Sequence, residues 1–232
     1  MVSVLLGMAK TGVAGTGMIA VPLMALAFGG RESTGLALTL FIFADVLGVF
    51  YFHQYANWEH LRRLLPFALV GVVIGTLTGR LIDDATFTLI MAIIIFMSLP
   101  IMVWQERRET IEVPTSRWFG YGVGVLGGFT TMVGNLAGPV MVLYMLAMRF
   151  PKNQFIGTAA WFFFVINLTK VPFHVVAWGT ITWNSLFLTS VFIPAVILGA
   201  WLGLFVVKRI PEQPYRWLVI ATTFIAAIAL II

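Results

Sequence analysis

The sequence predicts an all-α polytopic membrane protein: eight hydrophobic segments in two inverted four-segment repeats, the first segment of each repeat broken or re-entrant. Three observations predict it: the apolar composition, a matched pair of glycine clusters inside two long apolar segments, and the distribution of basic residues. Of 232 residues, 60% are hydrophobic and 10% charged, and the mean hydropathy is +1.00. A soluble domain of ordinary composition does not reach such values.

In chain order the apolar segments run over 2–28, 34–52, 64–81, 86–104, 118–148, 153–178, 183–207 and 214–232. About 20 apolar residues cross a bilayer, so six of these suit one span each. The first and fifth are longer. Gly7, Gly12, Gly15 and Gly17 interrupt the first, with Pro22 beyond them; Gly127, Gly128, Gly134 and Gly138 interrupt the fifth, with Pro139 beyond them. Backbone that leaves the helix inside a membrane is tolerated only where protein or a watery cavity satisfies it. Each of the two segments is therefore a kinked span or a re-entrant hairpin, and paired breaks of this kind point to a binding site.

Charge discriminates between the two forms. With Lys10 and Lys170 set aside as lying within apolar segments, eight full spans divide the other basic residues seven to five. If the first and fifth segments enter and leave on one face, Arg62, Arg63, Arg107, Arg108, Arg117, Arg149, Lys152, Lys208, Arg209 and Arg216 share one side, against Arg31 and Arg80. Ten against two is the bias that cytoplasmic loops carry. The expectation is six spans plus two hairpins, both termini on the non-cytoplasmic face.

The halves repeat. Gly17 matches Gly138 and Arg31 matches Lys152 at a separation of 121; Gly35 matches Gly157 and Asp45 matches Asn167 at 122; Pro66, Gly71, Gly75 and Phe87 match Pro194, Gly199, Gly203 and Tyr215 at 128. The first repeat thus covers 1–104, a charged cytoplasmic linker 105–117, and the second repeat 118–232. A hairpin plus three spans is an odd number of crossings, so the repeats are inverted.

Several functions are disfavoured. The basic residues sit in short loops and read as topology signal, not as a nucleic-acid patch. With no cysteine, no His-Glu-x-x-His and no acidic cluster, neither metal nor cofactor is expected. The first apolar run has no basic leader and is expected to belong to the fold.

What remains is a set of polar groups in apolar surroundings. A half-helix starting after a glycine loop offers free N–H groups and the positive end of a dipole. Gly15, Thr16 and Gly17 in the first break, and Gly134, Asn135 and Gly138 in the second, are placed to do so, with Thr11 and Thr131 as side-chain donors. The plainer reading is that these glycines allow close helix packing, and for the Gly71, Gly75, Gly79 and Gly199, Gly203 ladders packing is the better one. An intramembrane lysine is a functional candidate. Lys170 follows Asn167 by three residues, on one helix face; Lys10 lies nearer a segment end, and either lysine could instead snorkel to the interface. Asp45 is expected to pair with one of them, to carry a coupled proton, or to make a polar contact between the repeats. His174, one turn beyond Lys170, is a further candidate for proton or ion coupling.

In the order and duplication of its motifs the whole chain resembles the TauE/SafE sulfite exporter family, also called the 4-toluene sulfonate uptake permeases. The resemblance rests on the glycine-broken segment opening each half, on Arg31 and Lys152 at the start of the next helix, on Gln154-Phe155-Ile156-Gly157-Thr158-Ala159-Ala160 leading to Asn167-Leu168-Thr169-Lys170, and on Pro-x4-Gly-x3-Gly in the third helix of each half. Lys10, Val13 and Ala14 depart from the pattern. The resemblance implies a permease of the bacterial inner membrane for small sulfur-containing anions such as sulfite, sulfoacetate or other organosulfonates. It also implies Lys170 as a recurrent family lysine. An intramembrane enzyme using Asp45 and His174, and an anion channel, are the rival readings.

Overall fold

The computed structural model describes residues 1–13, 15–83, 85, 86, 89, 90, 93, 96, 97, 100, 116–211, 213–215, 217, 218, 221 and 224. Segments 86–104 and 214–232, and nearly all of the linker, therefore lie largely outside the described residues. Within them the chain is helical, without strands: α1 Val2–Lys10, α2 Gly15–Phe28, α3 Gly30–Phe52, α4 Trp58–Leu81, α5 Arg117–Gly134, α6 Ala137–Ala147, α7 Lys152–Pro172, α8 Trp183–Ser190 and α9 Ile193–Arg209.

Three helical runs are long and apolar enough to cross a membrane: Gly30–Tyr55, Trp58–Leu81 and Lys152–Ala177; α8 and α9 make a fourth if taken as one span. That last segment reads as one straight span in the sequence, yet it bends by 52° between Ser190 and Ile193. Pro194 supplies the cause, since its ring removes a backbone donor and crowds the carbonyl four residues earlier. Pro66 sits inside α4 with no such break.

Both glycine-rich segments turn back on themselves. At 1.5 Å per residue a straight helix would hold residues 5 and 16 about 16 Å apart, yet Thr16 Oγ1 donates to the Leu5 carbonyl at 2.9 Å. The turn passes through Gly12 at φ 121°, a conformation that favours glycine. In the second hairpin the ring of Phe119 stacks on that of Tyr144, centroids 5.8 Å apart, and the turn is made by Asn135 at φ 56°. Asparagine is the side chain that best tolerates the left-handed region.

Each hairpin packs against a helix of the other half, backbone against backbone. A Cβ added at Gly7 would stand 2.1 Å from the Val196 carbonyl oxygen, and one at Gly199 2.1 Å from that of Val4, so α1 lies flush on α9. One at Gly128 would stand 1.8 Å from the Ala68 oxygen, and one at Gly71 2.0 Å from that of Val125, so α5 lies flush on α4. These contacts match each other position for position across the two halves. Small residues permit such approach, and it is how helices associate in lipid. The expectation of packing for the two ladders is met here.

The matched basic residues also act alike. Arg31 Nη2 donates to the Ile82 carbonyl at 2.8 Å, at the C-terminus of α4. Lys152 Nζ donates to those of Val207 and Ile210 at 2.7 and 2.6 Å, at the C-terminus of α9. A cation at the negative end of a helix dipole stabilises it. Helices α3 and α7 pack together, with Asp45 and Asn167 facing each other between them.

Candidate functional site

The centre of the molecule is a buried polar network. Lys10, the last residue of α1, brings its Nζ within 2.9 Å of Asp45 Oδ1. Asn167 Nδ2 donates to Asp45 Oδ2 at 2.6 Å. Lys170 Nζ is encircled by oxygens: the Thr131 carbonyl at 2.8 Å, Thr131 Oγ1 at 3.1 Å, Asn135 Oδ1 at 2.5 Å and Asn167 Oδ1 at 3.3 Å. Asn135 Nδ2 in turn donates to the Thr34 carbonyl at 3.0 Å. One chain of contacts thus runs from the tip of the first hairpin, through α3 and α7, to the tip of the second. Asp45 and Lys170 are fully buried, and groups so placed are costly unless paired.

A cavity of about 50 Å³ opens beside this network, lined by Lys10, Gly17, Thr131, Asn135, Gly138 and Asn167, with Phe41 and Phe163 among its apolar walls. Since a water occupies roughly 10–15 Å³ of such space, the cavity holds a group of a few non-hydrogen atoms. Lys10 Nζ lies 3.9 Å from the centroid of the Phe163 ring and 4.6 Å from that of Phe41. Cation–π contacts of this kind hold an ammonium in place without consuming its hydrogen-bond donors. Gly17 is the third residue of α2 and Gly138 the second of α6, so two helix N-termini reach the cavity and direct positive potential into it. As formal charges the network holds two lysines against one aspartate. The site is one positive charge in excess.

Of the residues singled out in the sequence, Lys10, Gly17, Thr131, Asn135, Gly138 and Asn167 come together at the cavity, with Asp45 bound to Lys10 and Lys170 bound to Thr131 and Asn135. Neither lysine snorkels. Others fall elsewhere. Thr11 Oγ1 donates to the Ala200 carbonyl at 2.9 Å, between α1 and α9. Thr16 Oγ1 is within 2.8 Å of the Val13 carbonyl and braces the turn. Gly15 opens α2 and Gly134 ends α5, neither at the cavity wall. His174 sits in a π-helical turn, Phe173–Ala177, that follows Pro172. Its Nδ1 is 2.8 Å from Thr180 Oγ1, away from the cavity. The roles of Phe41, Phe163 and the Thr34 carbonyl carried no signal in the sequence: two aromatics among many, and a backbone atom.

Among the described residues no group of three or more His, Asp or Glu is placed to hold a metal ion. The fold and the site define a class, a multi-pass helical membrane protein with a cationic cavity between two helical hairpins. The chain belongs to the family described as sulfite exporter TauE/SafE, whose model matches residues 1–230. No curated protein and no solved structure matches it.

Proposed function

We propose that the protein is a secondary transporter of small sulfur-containing anions, sulfite first and sulfoacetate or other organosulfonates next, across the bacterial inner membrane. It works by alternating access between two inverted repeats, with both termini periplasmic. The observation that carries the reading is the charge at the cavity: Lys10 and Lys170 against Asp45, with two helix N-termini adding to the positive side. An anion entering there neutralises the excess, whereas a cation would add to it. A cavity of about 50 Å³ fits a four-atom oxyanion better than a bulky organic one. The position-for-position matching of Gly7–Val196 with Gly128–Ala68, and of Arg31–Ile82 with Lys152–Ile210, supports the repeat. Family membership supports the class of substrate.

Counterflow of radiolabelled sulfite, sulfoacetate and taurine into proteoliposomes tests this. Accumulation of labelled sulfite against excess internal sulfite is the expected result, and it also separates a carrier from a channel. Carriage of a cation with no sulfur anion carried would overturn the reading.

A further inference from the structure

A second, smaller compartment of about 30 Å³ adjoins the cavity and shares a wall with it: Ala9, Lys10, Phe155, Ala159 and Phe163 line both. Beyond that wall it is bounded by Gly12, Ile156, Ala160 and Tyr215. Tyr215 is 2% exposed, and among the described residues its hydroxyl has no hydrogen-bond partner. A buried donor left unsatisfied is costly and calls for an explanation. The ring packs edge-on against Phe155, centroids 5.9 Å apart. The position that corresponds to Tyr215 in the first half is Phe87, so in sequence the hydroxyl belongs to one half alone.

We infer that the Tyr215 compartment is a second anion station, entered past Lys10, at which the Tyr215 hydroxyl donates to an oxyanion leaving or reaching the main cavity. The inference rests on the anion-transport reading. Lys10 is the cation among the residues common to both compartments, so an anion passing between them keeps one cation within reach throughout. The compartment lies toward the end of the bundle where Lys152 binds the α9 C-terminus, for Ile156 and Val207 both flank Gly12. On the charge distribution this is the cytoplasmic end. An anion there has left behind the helix N-termini at Gly17 and Gly138, and Tyr215 supplies a donor in their place.

Two variants test the station in proteoliposomes and in detergent, with labelled sulfite as the probe. Tyr215→Phe removes the donor and installs the side chain of the matching position. Ile156→Phe fills the compartment from a residue that does not itself line the main cavity. Equilibrium sulfite binding within about twofold of wild type, with counterflow turnover lowered roughly tenfold or more, is expected for both, in line with the loss of one hydrogen bond to a charged group. Wild-type turnover in Tyr215→Phe overturns the station, as does loss of binding in both variants, which would make the two compartments one site. Should Tyr215→Phe not purify as a folded protein, Ile156→Phe decides by the same two measurements. If wild type neither binds nor carries sulfite or the organosulfonates, it is the transport reading that fails, and the station with it.

Discussion

Asn167 Nδ2 and Asp45 Oδ2 are 2.6 Å apart across 122 residues of chain, and the two side chains stand at matching positions of the two halves. On the proposed inverted-repeat reading, residues related in this way touch near the axis between the halves, and this contact would mark it. It also leaves Asp45 as the lone carboxylate between two lysines. Replacing it with Ala strands Lys10 in apolar surroundings, at a cost of about 3–5 kcal/mol for an unpaired buried charge. Asp45→Ala should therefore show a sharply lower unfolding temperature in detergent, whereas Asp45→Asn keeps the contact to Asn167 and loses less.

Asn135 holds Lys170 with its oxygen and the Thr34 carbonyl with its amide nitrogen, from a left-handed turn. Asn135→Gly suits that backbone conformation and removes the side chain alone. The protein should fold with near-normal yield, while sulfite counterflow falls roughly 10- to 100-fold. Unchanged counterflow would remove Asn135 from the site.

Lys10 is the cation at the cavity wall, and Lys170 the one behind it. Lys10→Met should weaken equilibrium binding of sulfite by roughly tenfold or more and abolish the station at Tyr215 as well. Scintillation-proximity binding measures the first directly.

The glycine contacts make a paired test. Gly128→Ala places a methyl 1.8 Å from a backbone oxygen, so α4 and α5 must part; a loss of about 1–3 kcal/mol or more is expected from overpacking of this kind. Gly122, on the same helix, has nothing within 4 Å of its Cβ position, and Gly122→Ala should be neutral. Thermal unfolding of the two proteins side by side measures the difference.

Topology is open to direct labelling, because the chain contains no cysteine and has no background. Glu32→Cys and Ser116→Cys, both at exposed positions, should react with a membrane-impermeant maleimide from opposite sides, Ser116→Cys only when the cytoplasmic face is open. Labelling of both from one side would rule out the six-span, two-hairpin arrangement.

Much of this was legible in the sequence for a physical reason. Lipid forbids unsatisfied backbone, so a helix break must coincide with something that compensates it, and glycine, Asn135 and the buried lysines mark where. Asp45, Asn167, Lys10 and Lys170 could be placed near one another because charge in an apolar segment has few acceptable partners. The rest depended on distance. Thr11 and Thr16 have the same composition signal as Thr131, yet of the three only Thr131 lines the cavity, since Thr11 spends its hydroxyl on the Ala200 carbonyl of α9 and Thr16 on carbonyls of the first hairpin. Tyr215 looked like one aromatic among many until its hydroxyl proved to lack a partner among the described residues. The 52° bend at Pro194 was not legible either, because Pro66, in the matching helix, produces none.

The flush contacts of α1 on α9 and of α5 on α4 constrain how the molecule can move. A sliding step of even one residue would drive a side chain into a space that only glycine leaves open, so neither pair can shear. In the proposed alternating-access cycle each hairpin travels as cargo of the opposite half: the first with α9, the second with α4. In that proposed cycle the seam that opens is the one these two rigid pairs share, bridged by Lys10, Asp45, Asn167 and Lys170.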